Sequence, residues 1–167
     1  MSSSVRIILA VVAVVVLVFM LIQVIPVQGR TNPRLRTQVQ WNTPQTDTLV
    51  RAACYDCHSN ETTWPWYSYI APLSWAVVHD VQEGRGKLNF SEQAAGQINP
   101  QRLIQQIRNG SMPPAYYLAA HPTARLTDEQ KQQLIAGIQA SLAGSGGGQG
   151  DTGDNGAGSE AGSGVGG

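Results

Sequence analysis

The chain has little to cross-link itself with and little net charge to attract an oppositely charged partner. Of its 167 residues only two are cysteine, and 11 basic side chains are matched by 11 acidic ones. The cysteine count excludes a disulfide framework, and the charge balance removes the case for a nucleic-acid partner. No stretch between residues 46 and 143 alternates polar and apolar side chains long enough to read as a strand. There are three histidines, none in a nucleophile-and-base motif, so the chain is expected not to be an enzyme. The last 24 residues lack Lys and Arg; twelve of them are glycine, and Asp151, Asp154 and Glu160 are their only charges. Residues 144–167 therefore read as a disordered Gly/Ser-rich tail with nothing to bury. What precedes the tail is net positive by three, with 11 basic and 8 acidic side chains.

Both cysteines fall in one stretch, Cys54-Tyr55-Asp56-Cys57-His58. On a helix, positions 54, 57 and 58 stand at i, i+3 and i+4, so two thiols and an imidazole point from one face. That arrangement suits covalent haem attachment: each sulfur can form a thioether to a porphyrin vinyl group, and His58 can become the proximal iron ligand. One such motif predicts one haem c with its iron, and a mildly basic body suits the negative propionates. Blander readings compete. A thioredoxin-like thiol pair needs a βαβ pattern that is missing. A Cys2His2 zinc-stabilised module needs His79 or His121 as fourth ligand, without the short paired spacing of usual zinc modules. A plain disulfide or thiol pair is the third.

From Ile7 to Ile25 nineteen positions are interrupted by one polar residue, Gln23. As a helix this run would measure about 28 Å, enough to span a bilayer. Its length favours an uncleaved anchor over a secretory signal cut after Gly29, so residues 1–28 read as a membrane anchor or uncleaved signal. Orientation contains a conflict. Arg30, Arg34 and Arg36 follow the run and only Arg6 precedes it, so the positive-inside rule alone keeps the domain in the cytoplasm. Covalent c-type attachment, however, takes place on the outer side of the bacterial membrane. The haem motif takes precedence, and the expected location is the inner membrane, single-pass, with the haem domain facing the periplasm or outer side.

Residues 29–45, with Pro33 and Pro44, read as a linker that lifts the domain off the membrane. Thr46 or Asp47 is the expected cap of a short helix carrying Leu49, Val50 and Ala53 into Cys54. Trp64-Pro65-Trp66-Tyr67-Ser68-Tyr69, with Trp75 beyond, can wall a porphyrin or serve as ordinary core. Pro72 opens a helix through Leu73, Val77 and Val81 to Gly84, with His79 on it. Asn99-Pro100 caps a helix that Asn109-Gly110 ends. Met112 follows at once, and Pro113-Pro114 fix the backbone beside its thioether. Thr127 and Gln130 form a capping box for a last helix with Leu134, Ile135, Ile138 and Leu142 on one stripe. The fold class is all-α, with one domain at 46–143 whose small core a bound cofactor would complete.

This order of parts resembles a small c-type cytochrome. More narrowly, Arg51-Ala-Ala-Cys54-Tyr-Asp-Cys-His58-Ser-Asn-Glu61-Thr, Trp64-Pro-Trp-Tyr67, His79, Leu88-Asn-Phe-Ser91, Met112-Pro-Pro114 and His121-Pro122 are together similar to the bacterial membrane-anchored haem-binding domain family, over roughly 46–142. The resemblance implies that the first and last helices of the domain cross, with Gly137 allowing the approach. It implies haem on Cys54 and Cys57, His58 as proximal ligand and Met112 as sixth ligand, His79 being the rival. His121 reads as a surface or supporting histidine, and Arg85, Lys87, Arg102 and Arg108 are candidate propionate partners. The expected function is single-electron transfer with a redox partner protein that the sequence does not identify. The alternative is a haem-based peroxidase or a gas or redox sensor with a labile sixth ligand.

Overall fold

The computed structural model describes residues 2–143. The glycine-rich segment expected to be disordered lies outside the described residues. Among the described residues there are helices and connecting loops and no strand, so the all-α class holds. Helix α1 (Ser3–Ile22) buries none of its residues, and its 20 residues, with a mean hydropathy of 3.2 over an 18-residue window, are enough, by length and composition, to cross a membrane. It starts earlier than the apolar run suggests and stops before Gln23.

The body begins with α2 (Pro44–Val50), which passes without a break through a π-helical turn, Arg51–Tyr55, into α3 (Asp56–His58). Ser59 is extended, at φ −146°, and ends this rod immediately after the Cys-x-x-Cys-His motif. The cap is Thr43, whose hydroxyl accepts from the Thr46 amide at 3.1 Å, with Pro44 in the first turn. Thr46 and Asp47, the expected caps, lie inside the helix, because a Thr-Pro pair one turn upstream already meets both requirements of a helix start.

Helices α4 (Leu73–Lys87), α5 (Pro100–Arg108), α6 (Ala115–Ala120) and α7 (Asp128–Leu142) complete the body. Helix α2 packs across α7, α5 lies along α7, and α3 packs against α4. The core sits where the first three meet: Leu49, Val50, Ile104, Leu134, Ile138 and Leu142 are buried, with Phe90 stacked on Tyr55 beneath them. The expected capping box is present, Thr127 accepting from the Gln130 amide and Gln130 from the Thr127 amide. Asn99 caps α5, and Gly110 leaves it at φ +71°, a conformation that favours glycine.

The crossing of α2 and α7 is made by small and polar residues. A Cβ built on Gly137 would collide with the Thr46 side chain, so only glycine lets the helices approach this closely. The Thr46 hydroxyl turns aside to donate to Asn42 at 2.8 Å, while Ser141 accepts from the Asn42 amide at 2.9 Å. These bonds satisfy the polar groups that the close packing buries.

Three expectations change. The segment read as a free linker is laid along the body: Arg36 and Thr37 amides donate to the Ser91 carbonyl, Val39 is buried, and the Trp41 indole donates to the Tyr55 hydroxyl at 3.1 Å. Arg85 fastens the same segment, donating to Thr31 and Asn32 as well as to Ser59 and Thr62. Helix α4 runs beyond Gly84 to Lys87 and buries Ser74, Val78, Val81 and Gly84, leaving Leu73 exposed. Finally, α6 arises right after Pro114, where a rigid loop alone was expected; proline is well tolerated just before a helix.

Replacing Gly137 with Val should lower the unfolding free energy by about 1–3 kcal/mol, the usual cost of overpacking a tight contact. Chemical denaturation of the full chain in detergent measures it, and an unchanged midpoint would remove the role given to this crossing.

Candidate functional site

The rod α2–α3 delivers Cys54, Cys57 and His58 to one cavity of about 340 Å³. Both cysteines are free. The other walls come from α5 (Leu103, Ile107), the loop Met112-Pro113-Pro114, α6 (Tyr116, Tyr117) and the middle of α7 (Leu134). A lining this apolar suits a flat hydrophobic cofactor far better than a hydrated ion. A second cavity of about 580 Å³ shares Cys57, Asp80, Tyr116 and Tyr117 with the first and extends toward Tyr67, Val77 and His121.

His58 is held in the form a metal needs. Its Nδ1 lies 3.0 Å from the Gly84 carbonyl and 3.1 Å from the Leu88 carbonyl. Carbonyls only accept, so Nδ1 carries the proton and Nε2 keeps a free lone pair. Burial pushes the imidazole below its ordinary value of 6.5, Lys87 acts in the same direction, and the two carbonyl bonds oppose them. The net result is a neutral ring, which is the ligating form.

Gly84 makes this possible. A Cβ there would strike the Cys57 carbonyl and crowd its side chain, so a larger residue would push α4 off the motif and carry away the carbonyl that His58 uses. The loop after the motif is fixed by the segment after α4. Phe90 donates its amide to the His58 carbonyl at 2.8 Å, Ser91 accepts from the Asn60 amide at 3.0 Å, and Asn89 donates to Asn60 at 2.9 Å. Two stretches singled out in the sequence, Cys57-His-Ser-Asn60 and Leu88-Asn-Phe-Ser91, thus form one buried hydrogen-bonded junction.

Burial pushes the Cys54 thiol up to about 12 and the Cys57 thiol up to about 11, the latter with help from Asp56 and Asp80. Such thiols are poor thiolates, which disfavours both a redox pair and a thiolate zinc site. The zinc reading also lacks its fourth ligand. His79 is on the exposed face of α4, lining neither cavity, and His121 is turned to Tyr67 and Tyr117. Among the described residues no group of three or more His, Cys, Asp or Glu side chains could hold a metal ion.

Met112 lines the cavity that His58 faces, and its amide is anchored on the Gln106 carbonyl at 3.1 Å. The structure therefore brings Cys54, Cys57, His58 and Met112 together and leaves His79 outside. His121 supports a wall. Its ring stacks on Tyr117 at 3.9 Å, its Nδ1 is bonded to the Tyr117 carbonyl, and the Tyr117 hydroxyl donates to Asp56 at 2.8 Å.

The aromatic run after the motif does neither of the things expected of it as a whole. Trp66 and Tyr69 are exposed, Trp75 is at the surface, and only Tyr67 reaches a cavity. Tyr116 and Tyr117 do the walling, and a Tyr-Tyr pair beside Pro113-Pro114 was the available sign. Of the basic residues picked for propionates, Lys87 alone borders the cavity; Arg125 and Lys131 border it as well. Arg85 is committed to the linker, and Arg108 lines a separate surface depression on α5.

Two outcomes follow from this geometry. Gly84→Ala should separate α4 from the motif and cut haem retention several-fold, read from the Soret absorbance per mole of purified chain. His58, lowered in the folded state, contributes stability that is complete above about pH 6.5 and is lost as acid protonates the unfolded chain first. In the haem-free chain, denaturation midpoints should fall in the parent as pH drops below about 6.5 and fall less in His58→Asn.

Residues 17–140 match the family model described as a haem-binding domain, which is more than half of the chain. No curated protein and no solved structure matches it. An apolar cavity beside a neutral, fixed imidazole is what such a domain requires, and the chain belongs to the haem-binding domain family.

Proposed function

We propose that the protein is a membrane-anchored monohaem c-type cytochrome that transfers single electrons on the outer face of a bacterial inner membrane. The observation that carries the reading is the convergence of Cys54, Cys57 and His58 on one apolar cavity, with Nδ1 of His58 held by two carbonyls so that Nε2 is free. Cys54 and Cys57 would hold the porphyrin through thioethers, each S–H adding across a vinyl group with sulfur on one carbon and hydrogen on the other. Bound there, the haem supplies an iron that gains and loses one electron. The remaining work belongs to the chain: His58 would hold the iron through Nε2, Met112 lines the same cavity and would offer it a thioether, and Leu103, Ile107 and Leu134 exclude water. Lys87, Arg125 and Lys131 border the cavity beside Asp80 and Glu83; Lys87 is paired with Glu83 at 2.7 Å and Lys131 with Asp128 at 3.0 Å, so among the described residues Arg125 is the cation there without a carboxylate partner in a salt bridge to offer a propionate.

The role is that of a carrier, not an enzyme, because a methionine on the sixth position closes the iron to substrates and raises the potential. A second reading, a peroxidase or gas-sensing domain, has one observation in its favour: Met112 is 36 % exposed at the cavity edge, a position from which a ligand is easily displaced. Helix α1 supports the anchor by length and composition, and the redox partner is taken to be a protein at the same membrane surface.

The test uses the full chain matured with covalent haem. After denaturation and extraction with acidified organic solvent, the parent should keep its haem, and Cys54→Ala/Cys57→Ala should release it; release by the parent would overturn the c-type reading. Met112→Ala should change the spectrum and lower the midpoint potential by on the order of 100 mV. An unchanged spectrum would remove the methionine ligand and the carrier role argued from it.

A further inference from the structure

Gln23 is the one polar residue in the long apolar run, and it is not idle. It lies just past α1, and its amide pairs with the backbone of Ala71, donating to the carbonyl at 3.1 Å and accepting from the amide at 3.0 Å. Seven residues on, Arg30 donates to the Ser68 carbonyl at 2.8 Å and sets its guanidinium 3.9 Å over the Tyr69 ring. The end of α1 is thus bonded at two points to the segment that leads into α4.

That segment carries the exposed aromatic and aliphatic side chains that the haem cavity does not use. Trp66 is 74 % exposed, Tyr69 59 % and Leu73 52 %, and Val24 and Ile25, between the two bonded points, are exposed as well. Scattered exposed apolar side chains are ordinary; several clustered around one junction mark an interaction surface. Trp and Tyr prefer the layer between lipid headgroups and acyl chains, and a cation beside them meets headgroup phosphates there. A helix that ends at this layer brings whatever is bonded to its end to the same depth.

We infer that Trp66, Tyr69 and Leu73, with Val24 and Ile25, seat the haem domain in the headgroup layer of the membrane that α1 enters, the Gln23–Ala71 pair holding the seat in register. The inference rests on the anchored reading of α1. The occupant is a phospholipid surface, because the patch is continuous with the helix that reaches it. The aromatic run after the motif, unused by the haem cavity, gains a task by this assignment.

The experiment uses the full haem-loaded chain in phosphatidylcholine–phosphatidylglycerol vesicles. A nitroxide is attached to one introduced cysteine at a time: Trp66→Cys, Leu73→Cys, Val14→Cys inside α1, and Gln101→Cys on the exposed side of α5. The parent gives the labelling background of Cys54 and Cys57, and an intact haem spectrum certifies each fold. Collision rates with oxygen, which concentrates in lipid, and with a water-soluble nickel chelate are then compared. The expected oxygen-to-nickel ratio at positions 66 and 73 is several-fold above that at 101 and below that at 14. Ratios at 66 and 73 equal to that at 101, with 14 still lipid-like, overturn the seat and leave the anchor. Labels at 66 and 73 shielded from both reagents mean a protein covers the patch, which also overturns it. A water-like value at 14 overturns the anchored reading and the seat together. Positions 66 and 73 are read independently, so loss of one variant leaves the other to decide.

Discussion

The structure depends on the approach of α4 to the motif helix at Gly84. There the backbone of one helix comes within van der Waals contact of the Cys57 backbone, and the Gly84 carbonyl, which also accepts from the Leu88 amide, accepts with the Leu88 carbonyl from Nδ1 of His58. A side chain at position 84 would cost more than local strain. It would release the ring that points into the cavity, the buried Asn60–Asn89–Ser91 junction that continues from it, and through Phe90 the aromatic stack under the core. One small residue couples the fold to the site.

That coupling explains what could be read from the sequence and what could not. Caps and stripes are local, so Asn99-Pro100, the Thr127–Gln130 box and the Leu134–Leu142 stripe of α7 were legible. The buried face of α4 was not, because it is set by Ser74 and Gly84, chosen for smallness, and an apolar count selects Leu73 and Val77 instead. The two candidates for the sixth ligand separate for the same reason: the rotation of α4 that buries Gly84 turns His79 outward. That Cys54, Cys57 and His58 reach one cavity was legible in their i, i+3, i+4 spacing. Tyr117 was less so: its one sign was the Tyr-Tyr pair beside Pro113-Pro114, whose other member, Tyr116, borders the cavity while staying exposed, and the richer cluster, Trp64 to Tyr69, leaves Trp66 and Tyr69 at the surface. The linker misled because polar, proline-containing chain looks free until a partner such as Arg85 is found for its carbonyls.

The hydrophobic core and the cavity adjoin and are bounded by the same helices. Ile107 and Leu134 belong to both, at once buried core residues and walls of the cavity. A domain of this size has little apolar surface to spare. A large flat apolar group in the cavity would complete the packing of α5, α6 and α7, and a group that binds only the folded chain stabilises it.

The π-helical turn at Arg51–Tyr55 has a bearing on how the motif is aimed. Such a turn holds one residue more than an α-helix would use, and each residue of an α-helix advances by about 100°. Thr46, Leu49 and Val50 fix the rod against α7 upstream, so the extra residue sets the azimuth at which everything downstream emerges. Shorten the turn by one and Cys57 and His58 swing roughly a quarter of a revolution away from α4, with their mutual spacing untouched. The five-residue motif therefore sets which side chains share a face but not where that face points; direction is inherited from the count of residues between Pro44 and Cys54, where a deletion is a different event from any substitution.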